Sequence, residues 1–367
     1  MGIVLAIIVF SVIVIVHEFG HFLMAKLNGI EVFEFSLGMG PTLISKRIGD
    51  TLYCLKLLPL GGSCMMGEDG FEEESEEAFE GANLDSEGSD EAASRQPIIR
   101  GNFNEKSVWA RILVIAGGPL FNFILAWFFA VIMILWIGFD APIIGEVVEN
   151  SGAMEAGLEA GDQITELNGR NIYLWREISS HNMFHSGETV VVEYIRDGVA
   201  YETILEPQMD EAQGTTVMGV ISTSYQEATF LEALENGIYT VRYWILTVID
   251  SLKMMLKGEV ALSDISGPVG IVDIVDETYE VSVQIGWDVV ILNLLNLTTL
   301  LSANLGVMNL LPIPALDGGR LVFLIAESIR GKRISPEKEG MFHLVGFGAL
   351  MLLMVVVLFN DLSHLFL

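Results

Sequence analysis

Cysteine is nearly missing from this chain: Cys54 and Cys64 are the only two in 367 residues. They fall in the part expected to be cytosolic, where a reducing compartment disfavours a disulfide, and they share no ligand spacing with each other or with a histidine, which argues against a thiolate metal site. Basic residues are scarce as well. Nineteen Lys and Arg stand against 48 Asp and Glu, and the net charge of −29 excludes a general affinity for nucleic acid or anionic lipid. The N-terminal apolar run lacks a basic leader region and a small-x-small cleavage site, so it is expected to be a retained span and not a removed signal. Both chain ends lack Lys and Arg, and residues 139–286 hold only six, whereas 26–111 hold eight and 320–338 five. That asymmetry predicts that the termini and residues 139–286 lie outside and that the first span ends in the cytosol.

What is present is apolar. The chain is 51% hydrophobic with a mean hydropathy of +0.51, and a bilayer span needs about 20 mostly apolar residues. Four spans are predicted, at 1–25, 108–138, 285–330 and 341–367, which makes this a polytopic α-helical membrane protein. The third is studded with Asn293, Asn296, Thr298, Thr299, Ser302, Asn304 and Asn309, so it should face protein or a watery cavity. Residues 68–95 carry twelve acidic residues against one basic residue and read as a solvated cytosolic insertion.

The first span ends in His17-Glu18-Phe19-Gly20-His21. On a helix, histidines at i and i+4 share a face one turn apart, where both can ligate one Zn²⁺ while the glutamate between them serves as general base. Ionisable side chains beside the run IVLAIIVFSVIVIV are costly and mark a functional site. The motif therefore predicts a zinc protease with its active site at or below the membrane surface.

Residues 26–107 begin with short β-prone runs separated by turns at 38–41 and 49–50. They predict membrane-associated hairpins whose open strand edge could hold a substrate in extended form, a plain cytosolic hairpin being the alternative. The second span opens with Gly117-Gly118-Pro119 and Asn122; small residues permit close helix approach, and the asparagine needs a partner such as the His17–His21 helix. Residues 139–208 alternate strand and helix around AGLxxGDxIxxxNG, the pattern of an extracytosolic PDZ domain, which binds peptides by strand addition or acts as a size filter. Residues 209–284 include an amphipathic helix at 231–256. His181 and His185 share i, i+4 spacing but have no carboxylate in register, and are expected on the surface.

A second motif follows the polar third span: Asn309-Leu-Leu-Pro-Ile-Pro-Ala-Leu-Asp317-Gly-Gly-Arg320. Its prolines and glycines put Asp317 on irregular backbone, tolerated at membrane depth only where it is buried or lines a cavity. Zn²⁺ would give that carboxylate a cationic partner, and with His17 and His21 it would complete three protein ligands and leave the open position of a catalytic site. An Asp317–Arg320 ion pair is the alternative.

These motifs, in this order and with a PDZ-like unit between them, resemble the site-2 protease family of intramembrane zinc metalloproteases, in particular its regulator-of-sigma-E branch. The resemblance covers nearly the whole chain. It implies that His17, His21 and Asp317 hold zinc, that Glu18 is the general base, and that Asn309 and Asn122 contact the substrate or steady the site. It also implies a multi-pass bacterial cell-membrane enzyme with the active site toward the cytosol and the PDZ unit outside. The implied partners are membrane lipid, single-span substrates such as anti-sigma factors or remnant signal peptides, and a peptide C-terminus at the PDZ unit. Two departures stand out: there is room for one PDZ unit where some relatives carry two, and Ser63-Cys64 follows the double glycine. A non-catalytic PDZ scaffold and a zinc transporter or sensor are the rival readings; neither needs the full His, Glu, His and Asp set.

Overall fold

The first 27 residues contain no proline, and in an apolar setting a helix is the conformation that satisfies every backbone group internally. In the computed structural model they form α1 (Gly2–Leu27). The structure describes residues 1–67, 101–210, 215–223, 225–260 and 267–366; the acidic segment at 68–95 lies outside the described residues. Among the described residues four helices are long and apolar enough to cross a membrane: α1, α2 (Val108–Ile137), α7 (Trp287–Leu310) and the stretch Lys338–Asp361 within α9 (Pro336–Phe366). The chain divides into two compact units, one drawn from residues before Ala126 with the C-terminal stretches 267–290 and from Leu305 on, the other from Ala126 into the 250s with Ile291–Asn304.

In the first unit, strands β1 (Val32–Ile48) and β2 (Thr51–Met66) follow α1. The expected turn at 38–41 does not end a strand. Gly38 and Gly40 take φ of 89° and 87° inside β1, and the register shifts there, so the strand bends and continues. As a result Phe35 partners both Tyr53 and Cys64. The Phe22 ring of α1 lies 5.1 Å from Phe35, which anchors the hairpin on the helix. Ala25, Ile30, Val32, Met66, Phe103, Val114, Ile115 and Leu324 share one buried cluster here.

The span expected at 285–330 is two helices. α7 stops at Leu310 and α8 (Asp317–Arg330) restarts after a break, because Pro312 and Pro314 lack N–H donors. Within α7, Thr298, Thr299 and Ser302 are buried, and the two threonine hydroxyls donate to the Leu294 and Leu295 carbonyls. Asn304 and Asn309 are half-buried, whereas Asn293 and Asn296 are exposed, so the inward turn holds for the threonines and the serine and not for the whole polar set.

The second unit contains a four-stranded sheet in the order β5 (Arg170–Asn171), β4 (Gln163–Leu167), β6 (Val190–Arg196), β7 (Val199–Leu205). Helix α4 (Trp175–Phe184) accompanies it over a core of Ile144, Leu158, Ile164, Leu167, Ile178, Val190, Val192 and Leu205. The unit does not close at residue 208: β10 (Val220–Ser222) returns to pair with β3 (Ile144–Val147). Three residues are too few for an alternation signal in sequence. The amphipathic helix expected at 231–256 is α5 (Phe230–Lys257), opened by a Thr229–Glu232 capping box. Tyr239 stacks on Tyr173 at 4.1 Å, and Arg242 pairs with Glu177. His181 corrects the surface expectation: it is 5% exposed, stacked on His185 at 4.5 Å, and burial pushes its pKa down to about 4.

Candidate metal centre

The two histidines of the HExxH motif stand on one face of α1, and both are buried. The break at residues 311–316 brings Asp317, the first residue of α8, to that face. His17 Nε2 and His21 Nε2 are 3.2 Å apart, and Asp317 Oδ2 lies 3.3 and 3.4 Å from them. Among the described residues this is the one group of three metal-donor side chains close enough to share an ion.

The donors fit zinc. Ligands about 2.0–2.1 Å from a tetrahedral ion lie about 3.3 Å from one another, and these three spacings match that value. Asp317 Oδ2 is buried without a hydrogen-bond donor, a costly state for a carboxylate that a cation relieves. The ring protons fit as well. His21 Nδ1 lies 2.9 Å from the Val114 carbonyl, which only an N–H can satisfy, so the Nε2 lone pair is left to face the centre. His17 Nδ1 meets the side-chain amide of Asn122 at 3.1 Å. A half-turn of that amide lets its oxygen accept the Nδ1 proton and gives His17 the same tautomer.

Local sequence explains why the centre can form. A Cβ on Gly118 would sit 2.3 Å from His21 Nε2 and 2.7 Å from His17 Cε1, so any larger residue would invade the donor triangle. Gly20 and Gly117 bring the α1 and α2 backbones together in the same way. Asn122 is fully buried and turned to His17. Asn309 reaches His17 Nε2 with its amide nitrogen at 3.4 Å, on the donor side of the ring. Glu18 faces the hairpin: the Cys64 backbone N–H donates to its carboxylate, which interacts electrostatically with His21, His17 and Asp317.

Sequence reasoning missed two supports. One is the Val114 carbonyl, a backbone group that no residue type announces. The other is the Arg111–Glu327 pair, with N–O contacts of 2.5 and 3.1 Å, which ties the start of α2 to α8. An acid ten residues after Asp317 and an arginine four residues into a span were the available signals.

The model of peptidase family M50 matches residues 5–353. Zinc metalloprotease RasP of Shouchella clausii is 34% identical over 418 aligned positions, covering 98% of both chains. The regulator of sigma-W protease RasP of Bacillus subtilis is 33% identical over 423, again covering 98% of both. The solved PDZ domain of an SdrC-like protein of Listeria monocytogenes matches 24% of this chain and 92% of its own at 24% identity, with a TM-score of 0.21. A family match over nearly the whole length, on a chain with four apolar helices and a zinc-spaced donor set, makes this protein a member of peptidase family M50, an intramembrane zinc metalloprotease of regulated intramembrane proteolysis.

Proposed function

We propose that His17, His21 and Asp317 hold the catalytic zinc, that Glu18 is the general base, and that the substrate is a single-span membrane protein cut within its spanning segment. The observation that carries the assignment is the donor triangle, with sides of 3.2, 3.3 and 3.4 Å. When bound, zinc supplies Lewis acidity, which acidifies water and polarises the scissile carbonyl. Glu18 takes the proton from the attacking water and passes it to the leaving amine. Asn309, whose amide nitrogen lies 3.4 Å from His17 Nε2, donates to the carbonyl oxygen as negative charge develops there. Asn122 keeps the His17 ring in the ligating tautomer.

A spanning helix has its backbone groups bonded internally and must unwind before it can be cut. Residues 62–66 support the capture of such a strand. They pair with 32–37 and pass beside Glu18. An extended substrate added there regains backbone hydrogen bonds next to the base. The charge asymmetry supports a cytosol-facing centre with the PDZ-like unit outside. The sigma-W regulator activity named for the B. subtilis relative favours an anti-sigma factor as the substrate class.

The test is zinc content and cleavage of a single-span substrate by purified wild type, Glu18→Gln and Asp317→Ala in detergent. The expected result is about one zinc in wild type and Glu18→Gln, cleavage by wild type alone, and loss of both in Asp317→Ala. Full activity in Asp317→Ala would overturn the ligand assignment.

A further inference from the structure

We infer that His343, on α9, is a positioning residue for the metal ligand Asp317; the inference rests on the ligand assignment proposed above. The break before Asp317 is strained. Ala315 takes φ 71°, and among the described residues the other non-glycine positions with positive φ are Asn150, Asn168 and Asp197. Asn and Asp tolerate that region through local side-chain hydrogen bonds, whereas alanine has no such means and must be held from outside.

His343 holds it. Its Nδ1 accepts the Ala315 N–H at 2.9 Å, which places the ring proton on Nε2. One turn further along α9, Gly346 leaves room for the neighbouring proline: a Cβ there would lie 1.9 Å from Pro314 Cβ. Beyond Asp317, Phe323 of α8 packs on Phe342 and His343 at 5.1 and 5.9 Å between ring centroids. A single turn of α9 thus grips the chain on both sides of Asp317. Zinc ligands tolerate displacements of only about 0.2 Å, so a relaxation of Ala315 to negative φ would carry the carboxylate off the donor triangle.

The far end of α9 offers an internal control. There Asp361 accepts the backbone N–H groups of Gly267, Val269 and Gly270 at 2.9, 3.1 and 3.1 Å. If His343 only fastened α9 to the protein, loosening either end would have the same consequence. If it positions Asp317, only the His343 end matters to the metal.

The experiment is zinc affinity by chelator competition on the full chain in detergent, together with kcat and KM for a single-span substrate. His343→Leu is expected to hold zinc about 10–100-fold more weakly, the usual cost of losing an outer support, and to lower kcat with KM little changed. His343→Asn, whose Oδ1 can stand where Nδ1 does, should restore wild-type affinity. Gly346→Ala, which displaces Pro314 and leaves His343 intact, should weaken zinc in the same direction and serves if His343→Leu does not fold. Asp361→Asn should bind zinc as wild type does. Wild-type affinity in His343→Leu, equal weakening in His343→Leu and Asp361→Asn, or failure of the asparagine rescue would overturn the positioning role while leaving the ligand assignment intact. Zinc retained in Asp317→Ala would remove both.

Discussion

In the unit that carries the metal centre, His17, His21 and Asp317 turn toward one point, while in the PDZ-like unit the buried acids Asp162 and Glu177 each meet an arginine. Apart from these acids and the buried His181, the core of the PDZ-like unit is largely apolar, with Ile164, Leu167, Val190 and Val192 at 2% exposure or less. The contrast separates two ways of keeping polar groups inside. The PDZ-like unit neutralises each charge locally, so its stability needs nothing from outside. In the assignment proposed above, the metal centre concentrates a carboxylate and two imidazoles, and a divalent cation completes it.

That contrast can be broken at several points. The largest effect is expected from Gly118→Ala, since its Cβ would fall 2.3 Å from His21 Nε2. Zinc content and cleavage should both fall by at least about 100-fold, the upper range for disturbing ligand geometry. By comparison Gly198, at φ 79° with open space around it, should cost only about 1 kcal/mol of local stability when changed to alanine, with zinc content unchanged. Asn122→Ala should come next. It removes the support on His17 Nδ1 and is expected to lower zinc affinity about 10-fold, read by the same chelator competition.

Glu177→Ala sharpens the comparison from the other side. Burial pushes this carboxyl above the ordinary range, with the Tyr173 N–H and Arg242 opposing. Removing it should destabilise the PDZ-like unit by about 2 kcal/mol, seen as faster limited proteolysis within 170–210, with the zinc content of the full chain intact. His181 adds a response to pH instead of to substitution. Its folded pKa of about 4 lies below the usual 6.5, so above pH 6.5 the ring is neutral in both states and contributes no pH dependence. As pH falls from 6.5 toward 4 only the unfolded chain takes up the proton, and stability declines; below 4 the loss levels off. Pulse proteolysis of the full chain across that window should show the decline in wild type, and His181→Phe should flatten it.

How much of this was legible in advance depended on distance along the chain. The HExxH spacing fixed the face of α1, and the AGLxxGD string with alternating strands fixed the PDZ-like sheet, because helix and strand periodicities are local. The prolines at 312 and 314 announced irregular backbone, which the structure places just before Asp317, although not that the expected third span would split into α7 and α8. Asn122 was legible as a buried amide in need of a partner, but its ring contact with His17 spans 105 residues. The return of β10 to β3 and the inward turn of His181 were not legible, since a three-residue strand and a short helix with two histidines read alike on a surface or in a core.

By itself the sequence determined the chemistry of this protein: which donors exist, which lie on one helical face, and which segments lipid would accept. Tertiary structure alone decided whether those donors meet. It set the 3.3 Å from His17 to Asp317, the Val114 carbonyl on His21, and the His343 contact with a strained Ala315. The physical reason is that residue type and local periodicity fix what a group can do and which way its element faces. Bringing groups hundreds of residues apart to ligand distance requires packed helices that approach through glycine and a backbone break held from both sides.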